Sequence, residues 1–85
     1  MDTLDCMRTF VAVAARHSFT GGARQIGIST KLASKYVARL EERLGAQLFN
    51  RTTRSVTLTD TGQAYLERCL PVLDQIDEME GVIQE

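Results

Sequence analysis

The 85-residue chain contains no apolar run approaching the roughly 18 residues that a membrane span requires. Its N-terminus opens with acids, where a secretory signal would carry a basic region and an apolar stretch. A cytosolic protein with no membrane partner is therefore expected. Cysteine is scarce: Cys6 and Cys69 lie far apart and show no metal-ligand spacing, and His17 is the only histidine. They read as structural thiols, and His17 as a cap or surface residue in a helix break. No nucleophile is paired with a base, and no glycine-rich phosphate loop is present; Gly21 and Gly22, two adjacent glycines at a helix start, do not make one. An enzyme is not expected, nor is any cofactor or metal. The one proline, Pro71, falls inside an apolar pattern that continues past it.

What is present is charge sorted along the chain. The formal net charge is −1, which taken alone argues against an anionic partner, yet residues 29–54 sum to +4 and residues 55–85 to −6. A basic region matters more than the total. It coincides with a helical pattern in which Ala33, Tyr36, Val37, Leu40 and Leu44 share one face. Ser29 precedes the run as an N-cap and Gly45 follows it as a left-handed terminator. The opposite face carries Thr30, Lys31, Ser34, Lys35, Ala38 and Arg39, with no acid before Glu41 and Glu42. Short hydroxyls and long cations suit phosphates and base edges.

A shorter helix precedes it. Phe19, Ala23 and Ile26 form its stripe, Ser18 or Thr20 caps its start, and Gly27 ends it. About three residues, one of them glycine, then join the two helices, as a helix-turn-helix requires. Gly21 and Gly22 weaken the first turn by roughly 1 kcal/mol each relative to Ala.

The first helix spans residues 2–16, capped by Asp2 or Thr3, with Leu4, Met7, Phe10, Val11 and Ala14 on its packing stripe. After Gly45 the period changes. Residues 47–50 and 55–58 alternate as strands, and Arg51, Thr52, Thr53 and Arg54 form a basic tip between them. A hairpin beside a helix-turn-helix is a wing, and a tip arginine reaches a narrow minor groove. Thr59 caps a last helix over residues 60–82, about 34 Å long. Leu66, Cys69, Leu73, Ile76 and Ile83 follow a near-heptad seam that Leu70, Val72, Met79 and Val82 broaden. This stripe exceeds what a small core covers, so much of it is expected to meet another chain or a missing domain; the residues it offers as a dimer interface are Leu66, Cys69, Leu70, Leu73, Ile76, Met79 and Ile83. Pro71 is expected to bend the helix without ending it.

The strings SFTGGARQIGIS, LEERLGAQLFNRTTR and VTLTDTG resemble the N-terminal DNA-binding domain of LysR-type transcriptional regulators, over essentially the whole chain. The resemblance implies a mainly α fold: a winged helix-turn-helix over residues 1–58 (helix-turn-helix 19–44, wing 47–58), then a linker and dimerisation helix over 59–85. It implies sequence-specific binding to double-stranded DNA, nucleoid-associated in the cytoplasm, by a homodimer joined through the linker helix. The site would be roughly palindromic, of the T-(eleven bases)-A type. It also implies a tetramer in a longer protein, whose C-terminal effector-binding domain has no counterpart in this sequence. The residues matching the DNA-binding positions are Thr20, Ser29, Thr30, Lys31, Ser34, Lys35, Arg39, Arg51, Thr52 and Arg54. The family often has Gln-Pro where this chain has Thr30-Lys31, which bears on base preference. A protein-interaction module, using the basic helix and a coiled coil, is the other reading of the same residues.

Overall fold

Phe10 is the residue around which the fold closes. It is fully buried, with its ring centroid 5.3 Å from that of Phe49 and 5.5 Å from that of Tyr65, and Phe19 meets Phe49 edge-on at 5.7 Å. Burying side chains of this size stabilises by about 1.5–3 kcal/mol each. The tilted ring pairs add about 0.5–1.5 kcal/mol apiece. Four different segments supply these aromatics, so one cluster ties the chain together.

The computed structural model describes residues 3–51 and 56–84, the side chains of 83 and 84 excepted. The expected contacts of Thr52 and Arg54, the side chain of Ile83 and the cap at Asp2 lie outside the described residues. The elements are α1 (Thr3–Arg16), α2 (Phe19–Ile26), α3 (Thr30–Leu44), β1 (Phe49–Arg51), β2 (Val56–Leu58) and α4 (Asp60–Gln84). This is the mainly helical architecture expected, with an antiparallel hairpin in the register Phe49 to Leu58, Asn50 to Thr57 and Arg51 to Val56.

Helix α1 is central, touching α2, α3, α4 and β2. Its buried surface is accordingly wider than one stripe: Cys6, Thr9, Ala12 and Val13 are enclosed along with Phe10 and Ala14. The hydroxyl of Thr9 donates to the Asp5 carbonyl at 2.8 Å, which satisfies the polar atom in an apolar setting. The α1–α2 crossing is close because Gly22 has no side chain; a Cβ there would stand 2.7 Å from the Val13 Cα. The helix penalty of Gly22 thus has a packing return. Ile26 and Leu44, expected on buried faces, are instead 37% and 42% exposed, because each ends its helix where the core stops. Cys6 and Cys69 are buried and unbridged. Burial pushes the Cys69 thiol up, and burial first, then Cys69 nearby, pushes Tyr65 up to about 12. Such thiols are poor nucleophiles, in keeping with a structural role.

Strand β1 begins two residues later than the alternation suggested, while β2 ends at Leu58 as expected. The Gln47 carbonyl accepts from the Thr59 hydroxyl at 2.7 Å, the Leu48 carbonyl accepts from Thr59 N–H at 3.0 Å, and Leu48 N–H donates to Glu41 Oε2 at 2.8 Å. These groups are committed to helices, so pairing begins at Phe49. Thr59 also caps α4, its hydroxyl accepting from Gly62 N–H at 2.9 Å. Gly62 lies so close to Leu48 that a Cβ would overlap the Leu48 carbonyl oxygen. The start of α4 is thereby locked to the root of the wing.

From there α4 runs 25 residues without interruption through Pro71. The seam read from the sequence divides in two. Cys69 and Leu73, expected at a dimer interface, are buried in the chain's own structure at 1% and 6% exposure. Leu66 packs partly against the same core. The heptad pattern could not separate these from Leu70, Val72, Met79 and Val82, which are 44–69% exposed. Beyond Leu73, Arg8 of α1 pairs with Asp77 at 2.9 Å.

Candidate nucleic-acid interface

Helices α2 and α3 are set by matched local signals at both ends. Ser18 and Ser29 are the N-caps, their hydroxyls accepting from Gly21 N–H and Leu32 N–H, each at 3.0 Å. The cap of α2 is thus Ser18, which leaves Thr20 exposed on its first turn. Gly27 and Gly45 terminate the two helices at φ 76° and 69°, a backbone region that glycine enters without strain. Ile28 N–H returns to the Ala23 carbonyl and Ala46 N–H to the Glu41 carbonyl, closing the same six-residue turn twice. Ala33, Val37 and Leu40 are buried and turn α3 inward by one face.

The other face is open. Ser29, Thr30, Lys31, Lys35 and Arg39 are exposed and Ser34 half-exposed, all on the one element. Among the described residues the ion pairs are Arg8–Asp77 and Arg51–Glu41, so Lys31, Lys35 and Arg39 carry uncompensated charge. The first turn of α3 contains no acid. Positive charge therefore gathers where the helix macrodipole is also positive. A surface of free cations with hydroxyls between them binds phosphate and offers donors to base edges.

Arg51 differs from the residues of that face. It lies on β1 and not in the loop tip. Its guanidinium carbon stands 4.6 Å from the Phe19 ring centroid, and its Nη2 is 3.4 Å from Glu41 Oε1. It thus ties the wing to the start of α2 and to α3. Glu41, which reads from sequence as the beginning of a mixed solvent face, instead turns under the helix and holds both Arg51 and the Leu48 amide. The only hint in the sequence was its position one turn before Gly45.

A helix-turn-helix with an open cationic second helix, a two-stranded wing and a long trailing helix defines a winged DNA-binding domain. Residues 4–63 match the bacterial regulatory helix-turn-helix protein, lysR family. The chain belongs to that family. It is 44% identical over 84 residues to an HTH-type transcriptional repressor of Pseudomonas aeruginosa, covering 99% of this chain and 26% of the relative. It superposes on the BenM DBD/catB site 1 DNA complex with a TM-score of 0.90 and 33% identity, covering 99% of this chain and 92% of that one. For full-length OxyR from Pseudomonas aeruginosa the TM-score is 0.92 at 28% identity, covering 99% of this chain and 28% of that one. The chain spans about a quarter of the length of most of the curated relatives it matches, 24–30% for three of them.

Proposed function

We propose that this chain is the DNA-reading part of a transcriptional regulator that binds double-stranded DNA sequence-specifically as a homodimer. The observation that carries the reading is the unpaired cationic face of α3, presented by a helix-turn-helix. Helix α3 enters the major groove, and phosphate contacts from Thr20, Ser29, Ser34, Lys35 and Arg39 fix its register. The hairpin follows the backbone toward the minor groove, with Arg54 as its reader and Arg51 holding the wing in place. Two copies pair through the exposed apolar residues of α4: Leu70, Val72, Met79 and Val82. Pairing sets two recognition helices on one face of the duplex, about one helical turn or a multiple apart, and calls for a roughly palindromic site. The fraction of its relatives that the chain spans supports a longer regulator whose effector site and tetramer contacts lie in a further domain. The chain itself needs no cofactor and carries out no chemistry.

Fluorescence anisotropy tests this on a labelled duplex from the region upstream of the protein's own gene, beside a scrambled duplex, at two salt concentrations. Preference for the first duplex that survives the higher salt is the expected result, together with weaker binding by Lys35→Ala and a shallower salt slope. Absence of binding to either duplex would overturn the proposal.

A further inference from the structure

Lys31 is misplaced as a structural residue. It stands two residues after the Ser29 cap, in the first turn of α3, where the helix dipole favours acids and repels a cation. Lys35 follows four residues later on the same face, a like-charged neighbour at the spacing where side chains meet. Both are exposed, and neither has an ion-pair partner among the described residues. Four arginines are used differently: Arg8 pairs with Asp77, Arg16 donates to Gln25, Arg43 to Thr3, and Arg51 pairs with Glu41. A residue that opposes its local setting, with no compensating contact in the fold, marks a place shaped by function.

The chemistry of its neighbours narrows that function. The leading end of a recognition helix meets the base edges. Thr30 is too short for a two-pronged contact, and the Ser29 hydroxyl oxygen is committed to the Leu32 amide. Lys31 is then the longest polar side chain at this end of α3. An ammonium has three donors and no acceptor. In the major groove, guanine presents two adjacent acceptors, O6 and N7, whereas adenine sets a donor beside its N7.

We propose that Lys31 is a specificity-determining residue that selects guanine at one position of each half-site; this rests on the DNA-reading function proposed above. Lys35, one turn further along, acts on phosphate and carries no base preference.

The test is selection from a randomised duplex library, followed by sequencing, with the wild-type chain, Lys31→Ala and Lys35→Ala. The wild type is expected to enrich a motif with a fixed guanine in each half. Lys31→Ala is expected to keep the rest of the motif and lose the guanine preference, a discrimination of about tenfold or more. Lys35→Ala should keep the whole motif and weaken all sequences alike. Retention of the guanine by Lys31→Ala, with a uniform loss of affinity, overturns the inference and leaves the DNA-reading function standing. A wild-type chain that enriches no motif overturns both. A thermal melt of Lys31→Ala at or above that of the wild type confirms that the comparison is between folded proteins.

Discussion

Gly62→Ala is a small substitution with a large expected effect. In an ordinary helix it would stabilise, since Ala exceeds Gly by about 1 kcal/mol. Here the added Cβ would overlap the Leu48 carbonyl oxygen, stand 2.9 Å from the Leu48 carbonyl carbon and 3.1 Å from Leu58 Cδ2. A backbone carbonyl cannot rotate aside as a side chain can, so α4 must back away from the wing root. Overpacking of this kind costs about 1–3 kcal/mol. The retreat also stretches the Thr59 N–H bond to Leu48 and the Thr59 hydroxyl bond to Gln47, now 3.0 and 2.7 Å. Each such bond contributes about 0.5–1.5 kcal/mol. Set against the propensity gain, the net loss is roughly 1–5 kcal/mol, a large share of the ~5–15 kcal/mol that holds a domain together. For a domain of this size that lowers Tm by about 4 °C or more. Far-UV circular dichroism melts at one fixed protein concentration would measure it, since the proposed pairing would make Tm concentration-dependent. A Tm equal to or above wild type would refute the close approach of α4 to Leu48.

Glu41 separates two roles by chemistry. Glu41→Ala leaves the Leu48 amide without its acceptor and should cost about 1–3 kcal/mol in urea unfolding. Glu41→Gln keeps a carbonyl acceptor and should cost less than half as much; equal losses would show that the charge pair with Arg51 dominates. At alkaline pH, Tyr65 holds its proton to about 12 in the folded chain against 10.0 for its ordinary value. Unfolding therefore releases protons between those values, and stability, flat with respect to this group below pH 10, falls as pH rises through that window. Urea midpoints that stay level or rise there would contradict the burial of Tyr65. Met79 is 63% exposed, so Met79→Glu should leave the fold of the single chain within about 0.5 kcal/mol of wild type. It should nonetheless shift the chain from dimer toward monomer in analytical ultracentrifugation at tens of micromolar; an unchanged dimer would remove α4 as the pairing surface.

The features legible in the sequence were those that local chemistry decides. Ser29, Gly27, Gly45 and Thr59 act as caps because a hydroxyl or a left-handed residue does its work within a few positions of itself. The open face of α3 was legible for the same reason: helical period alone puts Lys31, Lys35 and Arg39 opposite Val37 and Leu40. Residues whose role depends on a distant segment were not. Gly22 looked like a weak point until Val13 was seen against it, and nothing local to Gly62 pointed to Leu48. Glu41 looked solvated because its partners, Leu48 and Arg51, belong to another element. The apolar seam of α4 carried no sign of where the chain's own core ends, so Cys69 and Leu73 could not be told from Leu70 and Met79.

Helix α4 is a rod of 25 residues, about 37 Å at 1.5 Å per residue, held at its root by Thr59 and Gly62. A swing of about 5° at that root carries the far end roughly 3 Å, close to the ~3.4 Å rise per base pair along the DNA axis. For two copies joined along such rods, the hydrogen bonds at the wing root become the graduations of a ruler. Slack there would be read at the other end as an error of one base pair in the distance between half-sites.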